Sequence, residues 1–360
     1  MTTATDARVA RASRLVPLLR ERELDCLLVS NLVNVRYLTG FTGTNGACVV
    51  SGEQRLFLTD FRYVEQAEEQ VGGGFEVVRG GRDLLADLAA RLTGRAGFDD
   101  AHLSVRAHQR LAEGVEAGVE LVPAGGLVER LREVKDDDEL RTIADAATLA
   151  DGIYEYLRGR GMVGRTELEV ARDLEAEMRN RGSEPAFPVI VAAGPHGARP
   201  HAEPREVEIP PDTLVIVDLG CRLDGYCSDC TRTLATGRPP AEALEVYELV
   251  LTAQERALDA VHAGVSYQDA DAAARELIEA AGHGERFGHG LGHGVGLEVH
   301  EGPRLARNSE GELAAGNVVT VEPGIYVPGE IGVRIEDLVV VTEDGRRVLS
   351  RFPKSLLTIE

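Results

Sequence analysis

Leu214-Val-Ile-Val-Asp-Leu-Gly220 is an apolar run that carries a carboxylate near its end, Asp218, and the turn signal Leu223-Asp-Gly225 follows it. A second run, from Tyr226 to Leu234, carries Asp229. The two read as an antiparallel hairpin. With the turn centred between Leu223 and Asp224, Asp218 stands directly opposite Asp229, their Cβ atoms about 5 Å apart. Like charges facing each other on a strand pair destabilise the sheet, and each raises the other's pKa unless a cation intervenes.

The pattern recurs near the other end of the chain. Asn317-Val-Val-Thr-Val-Glu322 is a strand ending in an acid, Pro323 to Glu330 reads as the connecting loop, and Gly332 to Thr342 is the next strand. A centre at Gly329 puts Glu322 opposite Glu336. A single acid in such a place would ordinarily face solvent or cap a turn. Two symmetrical pairs on apolar strands point instead to bound metal. Between the hairpins, Phe287-Gly-His-Gly-Leu-Gly-His-Gly-Val-Gly-Leu-Glu-Val-His-Glu301 places His289, His293 and His300 among glycines, which let backbone approach a site closely. Four carboxylates and imidazole suit a pair of divalent ions such as Mn2+, Co2+, Fe2+ or Zn2+.

Outward from these hairpins, the chain divides near residues 130–136, where Lys135-Asp-Asp-Asp-Glu139 precedes a long helical pattern, Glu139 to Arg158. Asp137 or Asp138 is positioned to cap that helix. Thr166-Glu-Leu-Glu169 is a capping-box pattern opening another helix, to Arg181. A strand is expected at Phe187 to Ala193, and helices at Ala241 to Ala263 and Tyr267 to Ala281. Strands and helices segregated in blocks favour an α+β unit. The first part alternates instead: an amphipathic helix within Met1 to Arg22 on Val9, Ala12, Leu15, Val16 and Leu19, then strands at Cys26–Ser30, Ala47–Gly52 and Arg55–Thr59. Further helical patterns follow at Tyr63 to Val71 and Leu84 to Leu92, which makes this part an α/β unit.

Composition excludes several classes. The formal net charge of −21 repels nucleic acid and anionic membranes. No apolar run approaches the roughly 20 residues of a membrane span. The first 22 residues lack a secretory apolar core. Five sparse cysteines suit a reducing, cytoplasmic setting. Cys227 and Cys230 form a CxxC, but no second pair completes a zinc site, and strand positions three apart face opposite ways. They read as small apolar strand residues.

At these residues the sequence resembles the pita-bread metallopeptidases, in the proline-specific branch of Xaa-Pro dipeptidases (prolidases) and Xaa-Pro aminopeptidases (aminopeptidase P). The resemblance covers essentially the whole chain. Asn34-Val-Arg-Tyr-Leu-Thr-Gly-Phe-Thr-Gly43 and Phe57-Leu-Thr-Asp60 look like the creatinase-type N-terminal domain, here residues 1–132. Residues 133–360 look like the catalytic domain, an α+β fold with a curved, mainly antiparallel sheet. The family's metal ligands are matched by Asp218, Asp229, His293, Glu322 and Glu336. The resemblance implies two divalent ions per chain, Mn2+ first among the candidates. It further implies that Glu322 takes the proton of the attacking water, that His300 steadies the oxyanion, and that His201, in Arg199-Pro-His-Ala202, helps protonate the leaving prolyl nitrogen. His289 and Arg334 match substrate-pocket positions. One departure stands out: Gly194-Pro-His-Gly197 replaces the family's frequent Gly-Pro-Asn, which bears on the loop beside the pocket.

The implied substrate is a proline-containing di- or oligopeptide. The short N-terminal part favours a prolidase over aminopeptidase P. A metal-free creatinase-like hydrolase or a non-catalytic binding module would be expected to have lost ligands, and all five are present here. Methionine aminopeptidases share the catalytic domain but usually lack the N-terminal one. Family members are commonly homodimers, so a homodimer is expected.

Overall fold

The computed structural model describes residues 4–72, 74–81 and 83–360, the side chains of residues 4–6 excepted. The chain separates into two compact units, residues 1–132 and 133–360. No helix among the described residues is long and apolar enough to cross a membrane.

The first unit is α/β. Six strands, β1 (Cys26–Val29), β2 (Gly46–Ser51), β3 (Arg55–Thr59), β4 (Glu76–Arg79), β5 (Arg95–Phe98) and β6 (Glu120–Pro123), form one sheet in the order β4-β3-β2-β1-β5-β6. The β1–β2 and β2–β3 ladders are antiparallel, and the outer ladders are parallel. Strand β1 is buried along its whole length, as an apolar strand covered on both faces must be. Of the N-terminal amphipathic stretch, residues 1–3 lie outside the described residues. The helix there runs Ala4–Glu21 and buries Ala12, Leu15 and Leu19, while Val9 is exposed.

The second unit is α+β. Its helix Asp137–Arg160 is capped by Asp136, one residue before Asp137 and two before Asp138, the expected positions. Asp136 accepts from the amides of Asp138 and Glu139, and the Glu139 side chain returns to the Asp136 amide, closing a capping box. The box at Thr166 and Glu169 opens helix Glu167–Asn180 as expected. Helices Ala241–Ala260 and Tyr267–Ala280 pack on each other over an apolar core containing Val250, Ala257, Ala274 and Ile278.

The strands of this unit are β7 (Glu184–Pro185), β8 (Ile190–Ala193), β9 (Leu214–Leu219), β10 (Cys221–Leu223), β11 (Tyr226–Cys227), β12 (Cys230–Ala235), β13 (Gly292–Gly294), β14 (Glu301–Leu305), β15 (Val318–Val321), β16 (Gly324–Val327), β17 (Ile331–Arg334), β18 (Asp337–Thr342) and β19 (Gly345–Val348). All their ladders are antiparallel, divided among the sheets β11-β10-β7, β12-β9-β8, β14-β13-β15-β18-β19 and β16-β17. Two expectations need correction. The strand expected at 187–193 begins at Ile190, and residues 323–330, read as a loop, contain β16 and a turn at 328–330.

Residues 349–360 form no long strand, yet they are fastened to the unit. The Phe352 carbonyl accepts from Arg232 Nε and Nη2 at 3.1 and 2.7 Å. The Phe352 ring stacks on Tyr154 at 4.9 Å. Lys354 Nζ reaches Asp337 Oδ2 at 3.0 Å, and Ala235 exchanges backbone hydrogen bonds with Leu357 and Ile359.

Candidate metal centre

The centre forms where ladders break. The Asp224-Gly225 pair occupies the middle of the first turn, both residues with positive φ (45° and 80°), so the hairpin is centred between them and not one residue earlier. Asp218 therefore pairs with Thr231, and Asp229 lies in the gap between β11 and β12. The register changes by two, which keeps every side chain on its face. Asp218 and Asp229 are diagonal neighbours, not direct ones. Gly220 makes this possible, because a Cβ there would stand 2.0 Å from the Ser228 carbonyl oxygen.

In the second hairpin the expected register holds. The β15–β18 and β16–β17 ladders share it, and Glu322 and Glu336 face each other across the gap between them. His293 comes from β13, which pairs with both β14 and β15.

The structure brings the five candidate ligands together. Asp218, Asp229 and Glu336 are all buried and offer oxygen atoms within 4.8 Å of one another. His293 Nε2 bridges to the remaining acid, 3.7 Å from Asp229 Oδ2 and 3.2 Å from Glu322 Oε1. Thr320 orients this side by donating to Glu322 Oε1 at 3.0 Å while accepting from the His293 amide. On the other side Thr231, invisible to the sequence reading, donates to Glu336 Oε2 at 2.8 Å and accepts from Arg334 Nε at 2.9 Å. Arg334 Nη2 then donates to Asp218 Oδ2 at 2.7 Å.

The donor set fits a cation. Among the described residues, Asp218 Oδ1 and Glu336 Oε1 are buried with no hydrogen-bond partner, a costly condition for oxygens that carry charge. Burial, reinforced by the neighbouring acids, pushes Asp229 and Glu336 well above the usual carboxylate range. Burial would lower the pKa of His293, but Glu322 outweighs it and raises the imidazole to about 9. These groups must shed protons to ligate metal. Metal uptake is therefore expected to release protons, and affinity to fall as pH drops, by about tenfold per unit for each proton displaced. Calorimetric titration with Mn2+ in buffers of different ionisation enthalpy checks this; identical heats in all of them would contradict it.

The centre opens into a cavity of about 1020 Å³. His201 and His300 line it and are exposed, with the His300 ring 4.3 Å from that of His293. His289 also lines it, and its Nε2 lies 3.0 Å from the Tyr326 hydroxyl, which accepts from Arg334 Nη1 at 2.9 Å. Phe187, Pro188, Val189 and Ile190 supply an apolar wall. Arg304, absent from the sequence reading, lines the cavity as the cross-strand partner of His293. The signal for it was faint: a lone basic residue in the Glu301–Leu305 run. Cys227 and Cys230 are buried free thiols, in line with an apolar role.

Residues 141–343 match metallopeptidase family M24, and residues 11–134 match the creatinase/prolidase N-terminal domain. The chain belongs to metallopeptidase family M24. Its fold is accordingly the two-domain one, with a creatinase-type N-terminal domain and a pita-bread M24 domain. Among relatives of this M24 enzyme, an uncharacterized peptidase, YqhT, of Bacillus subtilis is 40% identical over 93% of this chain and 96% of its own. An Xaa-Pro dipeptidase from Bacillus anthracis is 39% identical, with TM-score 0.94 over 98% of this chain and 100% of its own. An X-Pro aminopeptidase from Thermotoga maritima is 34% identical, with TM-score 0.87 over 97% of this chain and 100% of its own.

Proposed function

We propose that this M24 peptidase is a dinuclear-metal Xaa-Pro dipeptidase. The observation that carries the reading is Arg304. It stands on the cavity wall opposite His293, and among the described residues no hydrogen bond or ion pair engages its guanidinium. The other arginine of the cavity, Arg334, is buried and committed to Asp218, Thr231, Tyr326 and Pro200. A dipeptide ending in proline brings a free carboxylate close to the scissile bond, and an unengaged guanidinium is the side chain suited to it. The likeness to the dipeptidase from Bacillus anthracis supports the same choice. The aminopeptidase reading draws support from the Thermotoga maritima structure and from a cavity larger than a dipeptide fills.

Asp218, Asp229, His293, Glu322 and Glu336 would hold the two ions. Ions bound there would supply Lewis-acid polarisation of the scissile carbonyl and a lowered pKa for a bound water. Burial would raise the pKa of Glu322, but the hydrogen bond and charge of His293 hold it down to about 2, so the carboxylate is ionised and ready to accept a proton from water. Burial and the charge of His293 lower the pKa of His300, leaving a neutral imidazole that can donate one hydrogen bond to the developing oxyanion. His201 is the proton donor to the prolyl nitrogen, a secondary amine that leaves poorly unless protonated. The reading carries with it Mn2+ as the working ion and a homodimeric assembly, both taken from the family resemblance, and the cytoplasmic location expected from the sparse cysteines.

The test is hydrolysis of Ala-Pro, Ala-Pro-Ala and a longer Xaa-Pro peptide with Mn2+ and again after chelation. Cleavage of Ala-Pro alone, lost with chelator, is expected. Arg304→Gln is expected to raise KM for Ala-Pro by about ten- to a hundredfold, the worth of a charge-assisted hydrogen bond. Efficient cleavage of the longer peptides, unaffected by Arg304→Gln, would make the enzyme an aminopeptidase.

A further inference from the structure

His201 is exposed on the cavity wall, and among the described residues its ring makes no hydrogen bond. Its direction is therefore set by the backbone that carries it, residues 194–205. Glu167, the first residue of helix Glu167–Asn180, holds both stems of that segment. On the leading side the Ala193 amide donates to Oε1 at 3.0 Å. On the trailing side the Arg205 amide donates to Oε2 at 3.0 Å, and the Arg205 guanidinium closes a bidentate pair, Nε to Oε2 and Nη2 to Oε1, both at 3.0 Å. Within the segment, buried His196 brings Nδ1 to 2.9 Å from Oε2. Glu167 is itself 1% exposed. Burial would raise its pKa, yet the hydrogen bonds from Arg205 and the two amides prevail and keep it below the usual range.

The tip of the segment has separate anchors. The Pro200 carbonyl accepts from Arg334 Nη1 at 3.1 Å. Gly197 lies so close to Gly332 that a Cβ on Gly332 would stand 1.7 Å from the Gly197 oxygen. The segment is thus fastened at its tip to the metal centre and at its stems to one carboxylate outside that centre. His196, which stands where the family often has asparagine, is one of the groups that carboxylate gathers.

We propose that Glu167 is a positioning residue for His201: by gathering Ala193, His196 and Arg205 it fixes where the His201 imidazole stands over the bond being cut. The inference rests on the reading of the chain as an Xaa-Pro peptidase in which His201 serves the leaving nitrogen. Glu167→Gln keeps the side chain's shape but turns an amide group toward donors, so at least two of these bonds are lost.

The test uses the full-length Mn2+-loaded enzyme with Glu167→Gln, His201→Ala and the double variant. Glu167→Gln is expected to lower kcat on Ala-Pro by about ten- to a hundredfold, as misplacement of a reacting group does, with KM nearly unchanged. In the His201→Ala background it should cost nothing further, because coupled residues are not additive. Hydrogen exchange should quicken at residues 194–205 and stay unchanged in β9. Arg205→Gln, at a partly exposed side chain, is a milder version expected to show a smaller kcat loss with the same dependence on His201. Multiplicative losses in the double variant, or unchanged exchange at 194–205, overturn the proposal. If the unaltered enzyme fails to cut Ala-Pro, the peptidase reading falls, and exchange decides the proposal: loosening confined to 194–205 supports the tether, and its absence ends it.

Discussion

Glu322→Gln is expected to lower kcat for Ala-Pro by about 10³-fold while the chain stays folded. A positioned acid–base group contributes roughly 10²–10⁴ in rate, and Glu322 is the acid in the centre whose charged form is favoured without metal. Asp229 and Glu336 are pushed the other way, toward protonation. The difference lies in position: Glu322 shares a hydrogen bond with His293 at 3.2 Å and accepts from Thr320, while Glu336 faces other acids. Glutamine has the same volume and can still accept from Thr320, so the backbone around residues 321–323 should be undisturbed. It cannot take a proton from water. Steady-state kinetics give the rate, a thermal melt gives the fold, and metal analysis shows whether ligation survives. Activity within about tenfold of the unaltered enzyme would remove Glu322 from the role of base.

Arg232→Ala is expected to destabilise the second unit by about 3–5 kcal/mol, the cost of breaking a buried ion pair from one side. The guanidinium is 2% exposed. It donates to Asp337 Oδ1, to the carbonyls of Thr231 and Phe352, and in a short contact to the carbonyl of Glu336. Alanine would leave Asp337 with Lys354 and Gln254 as partners and strip three buried carbonyls of a donor. Two of those carbonyls belong to Glu336 and to Thr231, which holds the Glu336 side chain, so metal affinity should fall as well. Hydrogen exchange at 230–236 and 335–341 measures the loss where it occurs. Protection changed by less than about 1 kcal/mol would show that the network contributes little.

Much of this centre was legible in the sequence, because its candidate ligands sit at features that local sequence encodes. An acid at the end of an apolar strand, repeated on its partner strand, is visible by eye, and in the second hairpin a turn centred at Gly329 predicted the observed register. In the first hairpin the Asp-Gly pair itself marked the centre, and a reading placed one residue earlier mispaired Asp218. The error was harmless because hairpin registers shift in twos and faces survive. The supporting residues were not legible. Thr231 meets Glu336 across 105 positions, and Arg232 meets Phe352 across 120. No spacing rule spans such intervals; only the assembled sheets bring them together. Glu167 illustrates the same limit. Its place in a capping-box motif is local and readable, but its hold on Arg205 depends on how the following segment returns to the helix.

The fastening of residues 349–360 bears on how the enzyme is made. Residues 1–132 form a compact unit whose sheet is complete once β6 is synthesised. The unit that follows has its candidate ligands spread from Asp218 to Glu336, and two of the hydrogen bonds of Arg232, which supports them, form only when Phe352 is in place. At a translation rate of roughly 5–20 residues per second, the ribosome takes on the order of 10–40 seconds to go from the first unit to Phe352. Three acids of the centre, Asp218, Asp229 and Glu336, are buried in the finished fold, and each is synthesised before Phe352 completes the scaffold that brings them together. The nascent chain can hold a folded first unit while the candidate ligands of the second still lack the contacts that gather them, so a metal ion would find its site only once synthesis is nearly finished.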